Sequence, residues 1–138
     1  MRAICTVLLI AIFPGLATMA IAQQAQPGPQ SNFFVLNQSK VALDNISKLN
    51  ALSDSLFAPV LNDLVKEGKL LEWGHLIHAW GDEWNYNFYF VTQDHKAFID
   101  FWDEYVSRVS KRFPGSMQKV ASFLLAHKDN MYTRRRVQ

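Results

Sequence analysis

The side chains best suited to chemistry gather between Trp73 and Tyr89, where Trp73, His75, His78, Trp80, Asn85, Asn87 and Tyr89 fall within a short stretch. His75, Asn85 and Asn87 are the candidate catalytic groups, and the full set is the candidate ligand-binding set. Imidazoles titrate near neutral pH and can serve as acid, base or ligand. Asparagine amides can donate to a carbonyl or enolate oxygen. The plain alternative is that the histidines are hydrogen-bonded sheet residues and the asparagines bond to water or to a second copy. His75 and His78 are three apart, a metal spacing on a helix. On a strand that odd separation points them to opposite faces, so no metal centre is expected. Asp82 and Glu83 are neighbours in a loop and point apart, which does not suit a paired-carboxylate mechanism. The chain has no HExxH, no GxSxG and no Gly-rich phosphate loop. Covalent catalysis is not expected, because the one cysteine, Cys5, lies in the apolar N-terminal run and the sequence presents no Ser/His/Asp arrangement.

The elements that must hold these side chains alternate between strand and helix. Asn32–Gln38 reads as a short strand, and Val41–Glu67 as a helix that Pro59 should kink or divide. Gly68 is its expected left-handed stop. Leu70–Trp80 and Trp84–Val91 read as two strands around a Gly81-Asp82-Glu83 loop. Pairing Trp80 with Trp84 puts Trp73, His75, Asn85, Asn87 and Tyr89 on one face, and His78 and Trp80 on the other. A one-residue change in register instead sets His78 and Trp80 beside the two asparagines. Asp94 should cap a helix with Phe98, Phe101, Trp102, Tyr105 and Val109 on one stripe, ended by Phe113-Pro114-Gly115. Val120, Ala121, Leu124 and Leu125 suggest a further helical piece, Met117–His127, with His127 at its end beside the dipole. A final strand is expected over Met131–Val137. Asn37-Gln38-Ser39 also matches the glycosylation sequon.

With 138 residues, 49% of them hydrophobic, the chain is one domain's worth of sequence. A net charge of +2 does not argue for nucleic acid as a partner, and 13% aromatics with 19% charged residues excludes a disordered chain. Residues 3–22 are almost wholly apolar behind Arg2, with a Pro14-Gly15 break and an Ala20-Ile21-Ala22 ending. We expect residues 1–22 to be a secretory signal peptide, 23–31 a flexible linker and 32–138 the folded domain. The protein is then exported, to a periplasmic or extracellular location, with no stable membrane insertion after cleavage. A retained anchor is the competing reading of the same run.

Strand, helix, hairpin, helix, small helix, strand is the order of an α+β, ferredoxin-like antiparallel sheet with helices on one face and an extra helix before the last strand. The other face, rich in Trp, Tyr and Phe, needs a partner, and a homodimer through the sheet face is the simplest one. Residues 58–74, the hairpin 78–87 and the helix start 94–102 resemble the dimeric α/β-barrel superfamily, and within it small exported bacterial proteins of unassigned activity. Its members include antibiotic-biosynthesis monooxygenases, stress-responsive barrel proteins and NIPSNAP-like proteins. The resemblance implies a pocket between sheet and helices. Three functions follow: binding of a small apolar or aromatic molecule, a cofactor-free or haem-using monooxygenase-like activity, or a structural role without ligand. The motifs themselves name no cofactor; haem enters only through the resemblance.

Overall fold

A computed structural model describes residues 32–78 and 83–134. The expected leader and linker, residues 1–31, therefore lie outside the described residues, as does the hairpin tip 79–82.

The first strand, β1 (Phe33–Val41), is the centre of the fold. The chain then turns through a short 3-10 segment into α1 (Ile46–Leu52), a π-helical turn over Ser53–Phe57, and α2 (Ala58–Lys66). The expected single helix is thus divided, just ahead of Pro59. A proline ring clashes with the carbonyl four residues back, and the wider π turn gives that carbonyl room. Gly68 closes α2 at φ +72°, with Lys69 N–H donating to Leu64 O (3.0 Å) and Gly68 N–H to Val65 O (3.0 Å). That paired arrangement is the left-handed stop expected of a glycine.

The hairpin strands are β2 (Glu72–Ile77) and β3 (Tyr86–Thr92). Asp94 caps α3 (His95–Arg112), its Oδ1 accepting from Ala97 N–H at 2.8 Å. Gly115, at φ +78°, leads into α4 (Ser116–Ala121), and β4 (Leu124–Thr133) completes the sheet. The expected helix to His127 ends six residues early, and β4 begins seven residues before the expected Met131. Leu124, Leu125 and His127 are strand residues.

All three pairings are antiparallel, in the order β2-β3-β1-β4. This is the expected ferredoxin-like α+β arrangement. The odd-numbered residues of β1 face the helices, so the register assigns every other side chain. Opposite Val35 stand Phe90 and Met131; opposite Ser39 stand Tyr86 and His127. A bulge between Lys40 and Val41 inserts Leu125 into β4 as an unpaired residue, 65% exposed. It brings both Leu124 and His127 to the helix side despite their odd separation.

The core lies between that face and α2 and α3. Phe101, Leu61, Leu64, Val35 and Val109 are at most 1% exposed, with Phe90, Phe98 and Tyr105 around them. On the outside, Arg108 of α3 forks onto Glu67 at the end of α2 at 2.6 and 2.7 Å and holds that carboxyl down at about 2. No helix among the described residues is long and apolar enough to cross a membrane.

Candidate functional site

Between the sheet and α2, α3 and α4 lies a cavity of about 210 Å³. Its walls are largely aromatic: Phe57, Tyr86, Phe88, Phe90, Trp102 and Tyr105. Leu61, Met117, Val120, Ala121 and Leu124 fill in between them. The polar lining comes from the sheet, as Asn37 and Ser39 on β1 and His127 on β4. Tyr86, Ser39 and His127 stand in one row across three strands.

These polar groups are joined. Asn37 Nδ2 donates to Asp129 Oδ1 at 3.1 Å, and the other carboxylate oxygen lies 3.3 Å from His127 Nε2. His127 Nδ1 in turn lies 3.3 Å from the hydroxyl of Ser39, which is buried. On the opposite side of the row, the Tyr86 hydroxyl meets Ser53 Oγ at 2.7 Å, and burial pushes the phenol's pKa up. Burial alone also raises Tyr105. The arrangement is an apolar chamber with one hydrogen-bonded polar wall. It can hold a small ring and read one polar substituent on it.

The candidate residues from the hairpin do not meet at this cavity, and the reason is register. Ile77 pairs with Tyr86, which is one residue away from the Trp80–Trp84 pairing. Trp73 and His75 therefore share the helix side with Tyr86, Phe88 and Phe90, whereas Asn87 and Tyr89 face the open side with Leu76. The expected common face of Trp73, His75, Asn85, Asn87 and Tyr89 is corrected to this split. Asn85 lies outside the strand: its side-chain amide both accepts from Val41 N–H and donates to Val41 O, each at 2.9 Å. It thereby takes the place of a ladder pair at the end of β3.

Trp73 Nε1 donates to Asn62 Oδ1 at 3.0 Å. His75 packs against Tyr86 and Phe88 at 4.5 and 4.7 Å between ring centres, and burial lowers its pKa against a smaller opposing effect of Asp54. Asn87 Nδ2 donates to Trp84 O at 2.7 Å. Tyr89 stacks on Phe34 and donates to Glu72 at 2.7 Å, its ring lying over Gly74 where a Cβ would meet it at 2.4 Å. His78 is exposed just beyond β2, and Trp80 lies outside the described residues. Among the described residues no cluster of three metal-ligating side chains is present.

The polar wall was missed because its members sit in segments read for other reasons. Asn37 and Ser39 form the ends of a sequon, and His127 sits at the end of an apolar run with helical spacing. The two-residue spacings Asn37/Ser39 and His127/Asp129 are the strand signal that could have found them.

Comparison with solved structures places the same fold in several proteins. A dimeric ferredoxin-like protein from an uncultured marine organism matches with a TM-score of 0.61 at 10% identity, covering 79% of this chain and 93% of that one. A NIPSNAP family protein of unknown function from Agrobacterium tumefaciens matches at 0.59 and 11% identity, over 80% of this chain and 94% of that one. A putative antibiotic biosynthesis monooxygenase from Nitrosomonas europaea matches at 0.56 and 12% identity, over 76% and 91%. No protein-family model matches the chain, and no curated protein does.

Proposed function

We propose that this ferredoxin-like protein binds a small, mainly apolar or aromatic molecule in the chamber between its sheet and its helices. The observation that carries the reading is the chamber itself, with six aromatic rings and a single polar wall. Engineered apolar cavities of about 150 Å³ accept benzene. A volume of about 210 Å³ thus suits one substituted ring or a small fused pair. Larger ligands occupy pockets of roughly 300–1,000 Å³, so the size favours such a ring over a porphyrin.

The protein acts as a homodimer through its open sheet face. Phe34, Leu36 and Tyr89 lie on that face, along with Leu76 (41% exposed) and Tyr132 (49% exposed). A contiguous apolar surface of this kind marks an interface. The ferredoxin-like neighbour from the marine organism is described as dimeric, which supports the same assembly here. The apolar run over residues 3–22 behind Arg2, with its Ala20-Ile21-Ala22 ending, supports export.

Val120 stands in the chamber wall, half-buried on α4. Val120→Trp should fill the space and abolish binding of a probe such as indene, with the fold retained by circular dichroism. Calorimetric titration reads the result. Unchanged indene affinity in the variant would remove the chamber as the binding site.

A further inference from the structure

We infer that the chamber prefers ligands whose polar end is a hydrogen-bond donor, such as a ring N–H, over ligands that present a bare carbonyl. The inference rests on the small-ligand reading above and adds the polarity of the ligand. It comes from following the hydrogens along the polar wall.

Asn37 Nδ2 donates to Oδ1 of Asp129, leaving Oδ2 to face His127 Nε2 at 3.3 Å. A carboxylate can only accept, so Nε2 carries the ring hydrogen. A neutral imidazole has one N–H, and Nδ1 is therefore a bare acceptor. Ser39 Oγ lies 3.3 Å from that nitrogen, so its hydrogen turns toward His127. What Ser39 presents to the chamber is its remaining lone pairs. Asn37 gives one of its two amide hydrogens to Asp129 and keeps both an N–H and its Oδ1, so it can meet either kind of polar group and does not discriminate. The Tyr86 hydroxyl is engaged with Ser53. At Ser39, which is 3% exposed and already donates to His127, the wall thus receives a hydrogen, and a ligand that brings only lone pairs sets them against the lone pairs of Oγ.

The same three residue types suggest an acyl-transfer triad, and the geometry speaks against it. Ser39 lies on β1, which is flanked by β3 and β4, so its neighbouring amides are committed to two ladders and cannot hold an oxyanion. The chain Ser39–His127–Asp129 serves to orient one hydroxyl.

Three bicyclic probes of nearly equal shape separate the possibilities: indole (donor), indene (neither) and 1-indanone (acceptor). Affinities of the full chain are measured by calorimetry at about pH 8. The wild-type protein should bind indole about tenfold or more tightly than 1-indanone, because Ser39 Oγ accepts from the ring N–H of one and faces the lone pairs of the other. Ser39→Ala should bring that ratio to within about twofold and leave indene unchanged. Asp129→Asn is the directional test. If the oxygen of the introduced amide keeps accepting from Asn37, its NH2 group faces Nε2. The ring hydrogen then moves to Nδ1, and the Ser39 hydroxyl swings into the chamber. The preference should shift toward 1-indanone.

Indene binding with equal wild-type affinities for indole and 1-indanone would overturn the inference and leave the chamber reading standing. So would a Ser39→Ala variant that keeps the wild-type preference. Absence of indene binding overturns the chamber reading itself. Should Asp129→Asn not fold, Ser39→Ala decides the matter alone.

Discussion

His75 packs against the rings of Tyr86 and Phe88, and burial lowers its pKa below the ordinary 6.5. Above that value the ring is neutral in both folded and unfolded chains, and its contribution to stability is fully present. As pH falls from there toward the lowered folded value, the unfolded chain takes up the proton first and stability is lost. Urea midpoints measured at about pH 7.5 and about pH 5.5 should therefore separate more in wild type than in His75→Phe. Equal separations would show that this ring does not govern the acid response. The Ser53–Tyr86 hydrogen bond makes a second residue-level prediction, since both groups are buried. Ser53→Ala leaves the Tyr86 hydroxyl without its partner and should cost about 1–3 kcal/mol in urea unfolding. The double variant with Tyr86→Phe should cost less than the two single changes added. Single-residue features of this kind were unevenly legible. The Asp94 cap and the Gly68 stop are local rules and can be read from their own neighbours. The pairing of Ser39 with His127 spans the whole domain, and no local pattern records it.

At the scale of elements, α3 was plain because its buried stripe is continuous, and its centre is Phe101, 1% exposed. Phe101→Ala should cost about 3–5 kcal/mol of stability, through lost burial and the void left among Phe90, Phe98 and Tyr105. Differential scanning calorimetry would read it, and a cost near that of a surface change would contradict the packing. The hairpin strands were also found, with two registers one residue apart left open, and the structure has the shifted one. Alternation cannot fix which residues face one another until the turn is known. Ile77 faces Tyr86, one residue away from the pairing of Trp80 with Trp84. The last strand was mistaken in part for helix because Val120, Ala121, Leu124 and Leu125 satisfy the helical period. Leu125 occupies the bulge, so the strand's own alternation is broken where it would have been most informative.

For the whole molecule, element order was enough to give the ferredoxin-like sheet with helices on one face, because right-handed, short connections leave few alternatives. The site was less legible than the fold, since its walls come from elements spread from β1 to β4 and only packing reveals the space. The open face carries the assembly prediction. Phe34 stacks with Tyr89 and lies against Tyr132 at its centre. Phe34→Glu should convert a dimer to monomers in sedimentation velocity, while helical content by circular dichroism stays near wild type. A wild-type monomer at all concentrations would exclude the sheet-face dimer.

The bulge at Leu125 also sets which length changes the last strand can absorb. Deleting Leu125 would join Leu124 directly to Ala126 and restore simple alternation, with His127 and Asp129 still on the helix side. Deleting Ala126 instead lets Leu125 pair with Lys40 in its place, with the same outcome. A deletion just beyond, at Lys128, breaks the parity between His127 and Asp129 and sends one of them to the other face. The strand thus carries a spare residue on one side of its histidine and none on the other. Loss of a codon would be forgiven or ruinous according to which side it falls.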